Sequence, residues 1–242
     1  PNNILQGDFA LDVNGDTRIS SLRTFNMAAP NTNISSEILT VVGAGGTIGS
    51  ELTSQIADMK PKKIILSDYS EYALWNITDK ISAKIDDKYI SSVLLNVRDK
   101  YAIDKTFKEY RPDIILHAAA LKQVPAAEYN PMECIKTNIH GAENIIKAAI
   151  KCNVEKVIAL STDKAANPIN LYGATKLVSD KLFVSANNMV GNQRTRFSVV
   201  RYGNVVGSRG SVVPFFRNLI ESNSEDLPIT HVEMTRFWIT LQ

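Results

Sequence analysis

Residues 38–52 read ILTVVGAGGTIGSEL, an unbroken apolar run that enters a glycine-rich turn and leaves it as a segment of helical periodicity. Gly43, Gly46 and Gly49 are spaced G-x-x-G-x-x-G, with Thr47 and Ile48 opening the helix inside the same loop. A tight strand-to-helix turn of this kind points backbone N–H groups at a pyrophosphate on the helix N-terminus. A side chain at Gly43 or Gly46 would obstruct that approach, whereas Gly49 lets the helix lie close on the sheet. Taken alone, the trio is equally a flexible turn. Its context adds the weight: a strand precedes it, a helix follows it, and Asp68 stands nineteen positions past Gly49 at the end of the next apolar run. An acid there is placed to accept hydrogen bonds from an adenosine ribose. Tyr69, Ser70 and Glu71 follow without positive charge, which favours NAD over NADP.

Outward from this loop the chain alternates between two textures. Short apolar runs at 38–43, 63–67, 92–97, 113–119, 156–161 and 197–203 read as strands, and segments near 46–59, 70–85, 101–110, 132–152 and 171–190 carry helical spacing. Continuous apolar strands separated by helices predict a parallel sheet buried on both faces, joined by right-handed crossovers. The expected fold is therefore α/β, a doubly wound parallel (Rossmann) sheet. Residues 1–37, rich in Asn, Ser and Thr, read as an irregular N-terminal extension. Residues 38–203 read as the nucleotide-binding domain, and 204–242 as the start of a substrate-binding region.

Bulk properties exclude several classes. The 242 residues are 44% hydrophobic and 21% charged, with 27 Lys plus Arg against 25 Asp plus Glu. That balance, without a block of basic residues, argues against a dedicated nucleic-acid surface. No apolar run in this sequence approaches a membrane span. Cys134 and Cys152 lack metal-ligand spacing and read as reduced core thiols of a cytoplasmic protein; no metal site is expected.

Further candidates lie at strand ends. Asn96 and Val97 close the third strand near the expected adenine, where Asn96 is either a hydrogen-bonding partner of the base edge or a polar strand end. Ala118 and Ala119 either let a cofactor pass over the sheet edge or serve helix–sheet packing. The stretch STDKAANPINLYGATK (161–176) is denser in chemistry. Tyr172 and Lys176 are four apart and share a helix face, and an ammonium beside a phenol lowers its pKa, making Tyr172 a general base. Elsewhere such a pair is an ordinary solvated one; after the fifth strand of a nucleotide fold it is more specific. Asp163 and Lys164 fall at the carboxyl end of that strand, where open α/β sheets place their chemistry; otherwise they would be a surface ion pair.

Together GAGGTIGSEL, HAAALKQVPAAEYNPMECIKTNIHGAENII, ALSTDKAANPINLYGATK and TRFSVVRYGNVVGSRGSVVPFF resemble one branch of the extended short-chain dehydrogenase/reductases. That branch is the bacterial UDP-N-acetylglucosamine 4,6-dehydratases of polysaccharide biosynthesis. The resemblance runs from about residue 38 to the end, and most extended relatives, such as hexose 4-epimerases, lack the Asp-Lys pair. It implies a redox-neutral loss of water from a UDP-sugar, with tightly bound, recycled NAD(P). Tyr172 takes the proton of the 4-hydroxyl, Lys164 the carbon-5 proton, Asp163 protonates the leaving 6-hydroxyl, and Thr162 hydrogen-bonds the 4-oxygen. Lys176 holds the nicotinamide ribose. The resemblance further assigns Asn204, Arg209 and Arg236 to the uridine diphosphate, places Lys122 beside cofactor or sugar, and suggests a homo-oligomer. A 4-epimerase, or an NAD-binding scaffold without turnover, are the competing readings. The chain begins at Pro1 and stops at Gln242, where the resembled family continues, so a truncated substrate half is expected.

Overall fold

A computed structural model describes residues 34–224, 226–229 and 231–240. The expected N-terminal extension therefore lies outside the described residues except at 34–37, where Ile34 is buried and a turn leads into the sheet. The elements follow as β1 (Ile38–Val42), α1 (Thr47–Asp58), β2 (Lys63–Asp68), α2 (Glu71–Ser82), β3 (Ile90–Leu94), α3 (Lys100–Tyr110) and β4 (Ile114–His117). Then come α4 (Val124–Tyr129), α5 (Pro131–Ile135), α6 (Gly141–Lys151), β5 (Lys156–Leu160), α7 (Leu171–Ala186) and β6 (Arg196–Val200). Six strands form one parallel sheet in the order β3-β2-β1-β4-β5-β6. This is the doubly wound order, and its reversal between β1 and β4 opens a crevice at the carboxyl ends.

Both faces are covered, as the apolar strands require. Ile115 of β4 joins α3, α6 and α7 in one core built around Phe107, Phe183 and Phe197. Its neighbours Ile114 and Leu116 turn the other way, onto α1 and α2 with Ile56, Leu74 and Ile81. That alternation is the strand's two-residue period. Truncating a fully buried aromatic such as Phe183 to alanine would cost about 3–5 kcal/mol.

Several boundaries differ from expectation. Five of the six strands end one to three residues early at their carboxyl termini, because residues such as 118–119, 161 and 201–203 leave the ladder to build the crevice, whereas β2 runs one residue further, to Asp68. The edge strand β3 lies at 90–94 rather than 92–97, and Leu95 and Val97 are buried in the core beyond the ladder. The predicted helix at 132–152 exists but is not uniform. A π-helical turn, Lys136–His140, joins α5 to α6, and the short α4 precedes them. Beyond β6 lie β7 (Asn204–Val205), α8 (Val212–Glu221) and β8 (Trp238–Ile239), with β7 and β8 paired in a separate parallel two-stranded sheet. Two-residue strands carry no readable period, so sequence reasoning missed them. No helix among the described residues is long and apolar enough to cross a membrane.

Candidate active site

The glycine loop is shaped partly by the protein and partly by what it leaves open. Gly43 has φ +85, and a Cβ there would lie 2.6 Å from the Ala119 nitrogen. At Gly49 a Cβ would meet the Gly43 carbonyl at 2.0 Å, so helix α1 can approach the strand end only with glycine. Gly45, which the spacing did not single out, is equally confined by Ala73 at 2.5 Å. Gly46 differs: its Cβ would make only an ordinary 3.4 Å contact, and its φ of −73 suits any residue. Nothing among the described residues explains the missing side chain at 46. Ser70, Asp99 and Asn170 cap α2, α3 and α7, while α1, like α4, α5, α6 and α8, has no side-chain cap. An open, uncapped N-terminus beside an unneeded glycine fits a phosphate-bearing ligand.

Asp68 is buried at the end of β2 and holds the loop itself. One carboxylate oxygen accepts from Gly45 N–H at 2.9 Å and the other from Ser70 N–H at 3.0 Å. An ionised carboxylate has about four acceptor positions, which leaves capacity for a ribose. The Asn96 side-chain oxygen accepts from Arg98 N–H and Nε, so only its amide nitrogen remains for a base edge. Val97 is packed against Gly141, where a Cβ would lie 2.8 Å from Val97 Cγ2.

At the end of β5 the strand passes directly into chemistry. Asp163 Oδ1 accepts from Thr162 Oγ1 at 2.8 Å, from Lys164 N–H at 2.9 Å and from Lys164 Nζ at 3.1 Å. Lys164 Nζ also donates to Asn204 Oδ1 at 2.8 Å. Helix α7 then folds back onto this turn: a Cβ at Gly173 would sit 2.4 Å from the Lys164 carbonyl. Only glycine allows the helix start, with Tyr172, to close on Asp163–Ala165.

Tyr172 and Lys176 share the expected face but not the expected balance. Burial holds the Tyr172 phenol well above its ordinary range, with the fields of Tyr202, Asp163 and Asp180 adding to it and a hydrogen bond with Thr162 opposing. Lys176 is almost wholly buried and donates to the Leu160 carbonyl at 2.8 Å; burial lowers it to about 8, opposed by Asp180. The predicted easing of the phenol by the lysine is therefore not met in this arrangement, because the ammonium is turned to the β5 backbone.

Lys122, Thr162, Lys164, Tyr172, Asn204 and Arg236 line one cavity of about 670 Å³, together with Ile48 of the glycine loop. Arg209 lies between the lining residues Ser208 and Gly210, and its backbone N–H donates to Thr47 Oγ1 at 3.1 Å. The Lys122 ammonium is lowered by partial burial and by the charges of Arg209 and Lys164, so cations converge where an anionic ligand would lie. Ala118 and Ala119 pass close above Gly43.

One residue that supports this site went unnoticed in the sequence. Asn138, buried in the π-helical turn, accepts from Leu121 N–H at 2.9 Å and donates to the Leu121 carbonyl and to Thr175 Oγ1, each at 3.0 Å. It ties the Lys122 loop to α7. The available signal was a lone asparagine at the apolar spacing Cys134, Asn138, Ala142, Ile145.

Fold and site define a doubly wound α/β protein of the extended short-chain dehydrogenase/reductase type, with an acid–lysine pair at the end of β5. Residues 39–242 match the model of a family described as polysaccharide biosynthesis protein, and the chain belongs to that family. It is 53% identical over 203 residues to the UDP-N-acetylglucosamine 4,6-dehydratase (inverting) of Campylobacter jejuni, covering 84% of this chain and 59% of the relative. It is 41% identical over 207 residues to the UDP-glucose 4-epimerase of Rickettsia bellii, again covering 84% and 59%. Among solved structures, Pen from Bacillus thuringiensis superposes with a TM-score of 0.81 at 37% identity, covering 86% of this chain and 65% of that one. The chain thus spans about three fifths of the length of these curated relatives.

Proposed function

We propose that this chain carries the catalytic half of a nucleotide-sugar 4,6-dehydratase that converts UDP-N-acetylglucosamine to a UDP-4-keto-6-deoxy sugar for surface glycan synthesis. The observation that carries the reading is the hydrogen-bonded Asp163–Lys164 pair beside Thr162 and Tyr172 at the end of β5. A 4-epimerase has no task for it. The fit at Gly46 and α1 supports a dinucleotide, and the acid at Asp68 supports NAD over NADP.

Bound NAD supplies a hydride acceptor for carbon 4 and a donor to carbon 6, so the reaction needs no second redox substrate. Tyr172 accepts the 4-hydroxyl proton. Because burial opposes its ionisation, that role requires positive charge at its side, and Lys176 on the same helix face is the residue able to bring it. Thr162 holds the 4-oxygen. Once carbon 4 is a ketone, the proton on carbon 5 is acidic, and Lys164 removes it while Asp163 protonates the departing 6-hydroxyl. These roles begin with the proton on Asp163 and the lone pair on Lys164, which is the proton-shifted form of the pair and has the same net charge. Asn204 keeps the lysine aimed, and Arg209 and Arg236 bind diphosphate oxygens through planar donor forks. A homo-oligomeric assembly belongs to the same reading and is checked by light scattering.

The test is incubation of the protein with NAD and UDP-N-acetylglucosamine in heavy water, followed by mass and NMR spectra. Loss of one water, with deuterium at an inverted carbon 5, is the expected result, abolished in Lys164→Ala while NAD still binds. An isomer of unchanged mass would establish the epimerase, which the Rickettsia relative's name keeps in view. Absence of product with NAD bound would leave the scaffold.

A further inference from the structure

The inner face of α7 carries a charge that the proposed reaction does not use. Asp180 follows Lys176 by four residues, so both lie on one face of the helix, and they are 1% and 3% exposed. Arg201, just past β6, donates from Nε to Asp180 Oδ2 at 2.8 Å. The other carboxylate oxygen, Oδ1, is buried with no hydrogen-bond partner among the described residues. A buried ion pair that served only to join α7 to β6 would be expected to satisfy both oxygens, since half-satisfied buried charge is costly.

The surroundings of Lys176 explain what an unspent negative charge does there. Its ammonium meets the Leu160 carbonyl from β5. Tyr172 precedes it on α7, His117 faces it from β4, Asp163 lies past β5 and Arg201 past β6. Burial holds His117 neutral, at about 3, so its ring brings no countercharge. Asp163 spends its Oδ1 on Thr162 and Lys164. Asp180 is left as the group whose field favours a charged lysine against burial.

We infer that Asp180, clamped by Arg201, is a positioning residue for Lys176: its carboxylate, one turn along the same buried helix face, keeps the buried lysine charged. The consequence for catalysis rests on the dehydratase reading, in which Lys176 must be cationic beside Tyr172. The electrostatic link itself is measured without cofactor or sugar.

Urea unfolding of the cofactor-free protein from pH 6 to 10 provides that measurement. In the unfolded chain a lysine titrates near 10.5, and in the folded chain Lys176 does so at about 8. Between those values the unfolded state binds the extra proton, so stability rises with pH, beginning near 8. With Asp180→Asn the onset of that rise should move down by about one pH unit, the effect of removing a near opposite charge. In a Lys176→Met background the part of the rise that begins near 8 should vanish, leaving the contribution of the lowered Lys122, and Asp180→Asn should no longer move the onset. Equal loss of stability at every pH, with the onset unmoved, would make the pair merely structural and overturn the inference. Should Asp180→Asn fail to fold, Arg201→Gln carries the test in the opposite direction. It frees the carboxylate's field for Lys176 and should raise the onset, and an unmoved onset again overturns the inference. A shifted onset in a protein that never dehydrates a sugar would keep this link and remove the dehydratase reading.

Discussion

Lys164 and Asn204 meet side chain to side chain across forty positions, the ammonium donating to the carboxamide oxygen at 2.8 Å. With Asp163 Oδ1 at 3.1 Å on its other side, the lysine is held from two directions. Asn204→Leu removes one hold without touching the acid. It is expected to lower kcat about tenfold, the equivalent of one charged hydrogen bond. If Asn204 serves only to bind diphosphate, KM will rise and kcat will stay, so steady-state kinetics on UDP-N-acetylglucosamine separate the two roles.

Gly173 makes the next prediction. A methyl group there would meet the Lys164 carbonyl at 2.4 Å, forcing the first turn of α7 away from the 163–165 turn. Gly173→Ala should lose about 1–3 kcal/mol of stability through overpacking. Turnover should fall much further than NAD affinity, because Tyr172 moves relative to Lys164 while the glycine loop is untouched. Calorimetric NAD titration alongside product assays reads both.

The glycines of the loop should separate into two behaviours. Gly49→Ala collides with the Gly43 carbonyl and should unfold or strongly destabilise the protein. Gly46→Ala meets only an ordinary contact, so thermal stability of the cofactor-free protein should change by less than about 1 kcal/mol. NAD affinity should nevertheless fall at least tenfold. Unchanged affinity in Gly46→Ala would show that the ligand does not pass over this position.

His117 sets an acid limit. It is buried, its Nδ1 has no partner among the described residues, and burial followed by the charge of Lys176 lowers it to about 3. The unfolded imidazole titrates near 6.5. The stability contributed is therefore complete above that value and is lost as pH falls from about 6.5 toward 3, because only the unfolded state takes up the proton readily. His117→Leu, packed against Phe183, should flatten the acid limb of the urea midpoint over that range.

The sheet and its order of events were legible because parallel strands buried on both faces write themselves as apolar runs. Asp68, the glycine loop and the 161–176 stretch were legible because each sits at a strand end, a position that the run itself marks. Partnerships between distant residues were not. Nothing near Asn204 announces Lys164, nothing near Arg209 announces Thr47, and the charge on α7 beneath Lys176 reads in sequence as any solvated aspartate. Gly45 and Gly173 were passed over for the same reason: what a glycine avoids is set by the chain that packs against it. The direction of the Tyr172 shift was misjudged because spacing along a helix gives proximity, whereas burial and the turn of the lysine to Leu160 decide the balance.

The π-helical turn at 136–140 also bears on how the chain tolerates change in length. A π turn is equivalent to one residue inserted into an α-helix. Deleting one residue there would restore regular geometry, and by secondary-structure propensity alone it would look harmless. It would also rotate Asn138 away from Leu121 and Thr175, freeing the loop that carries Lys122. The segment therefore has a fixed residue count, like a gear whose extra tooth is the one that meshes.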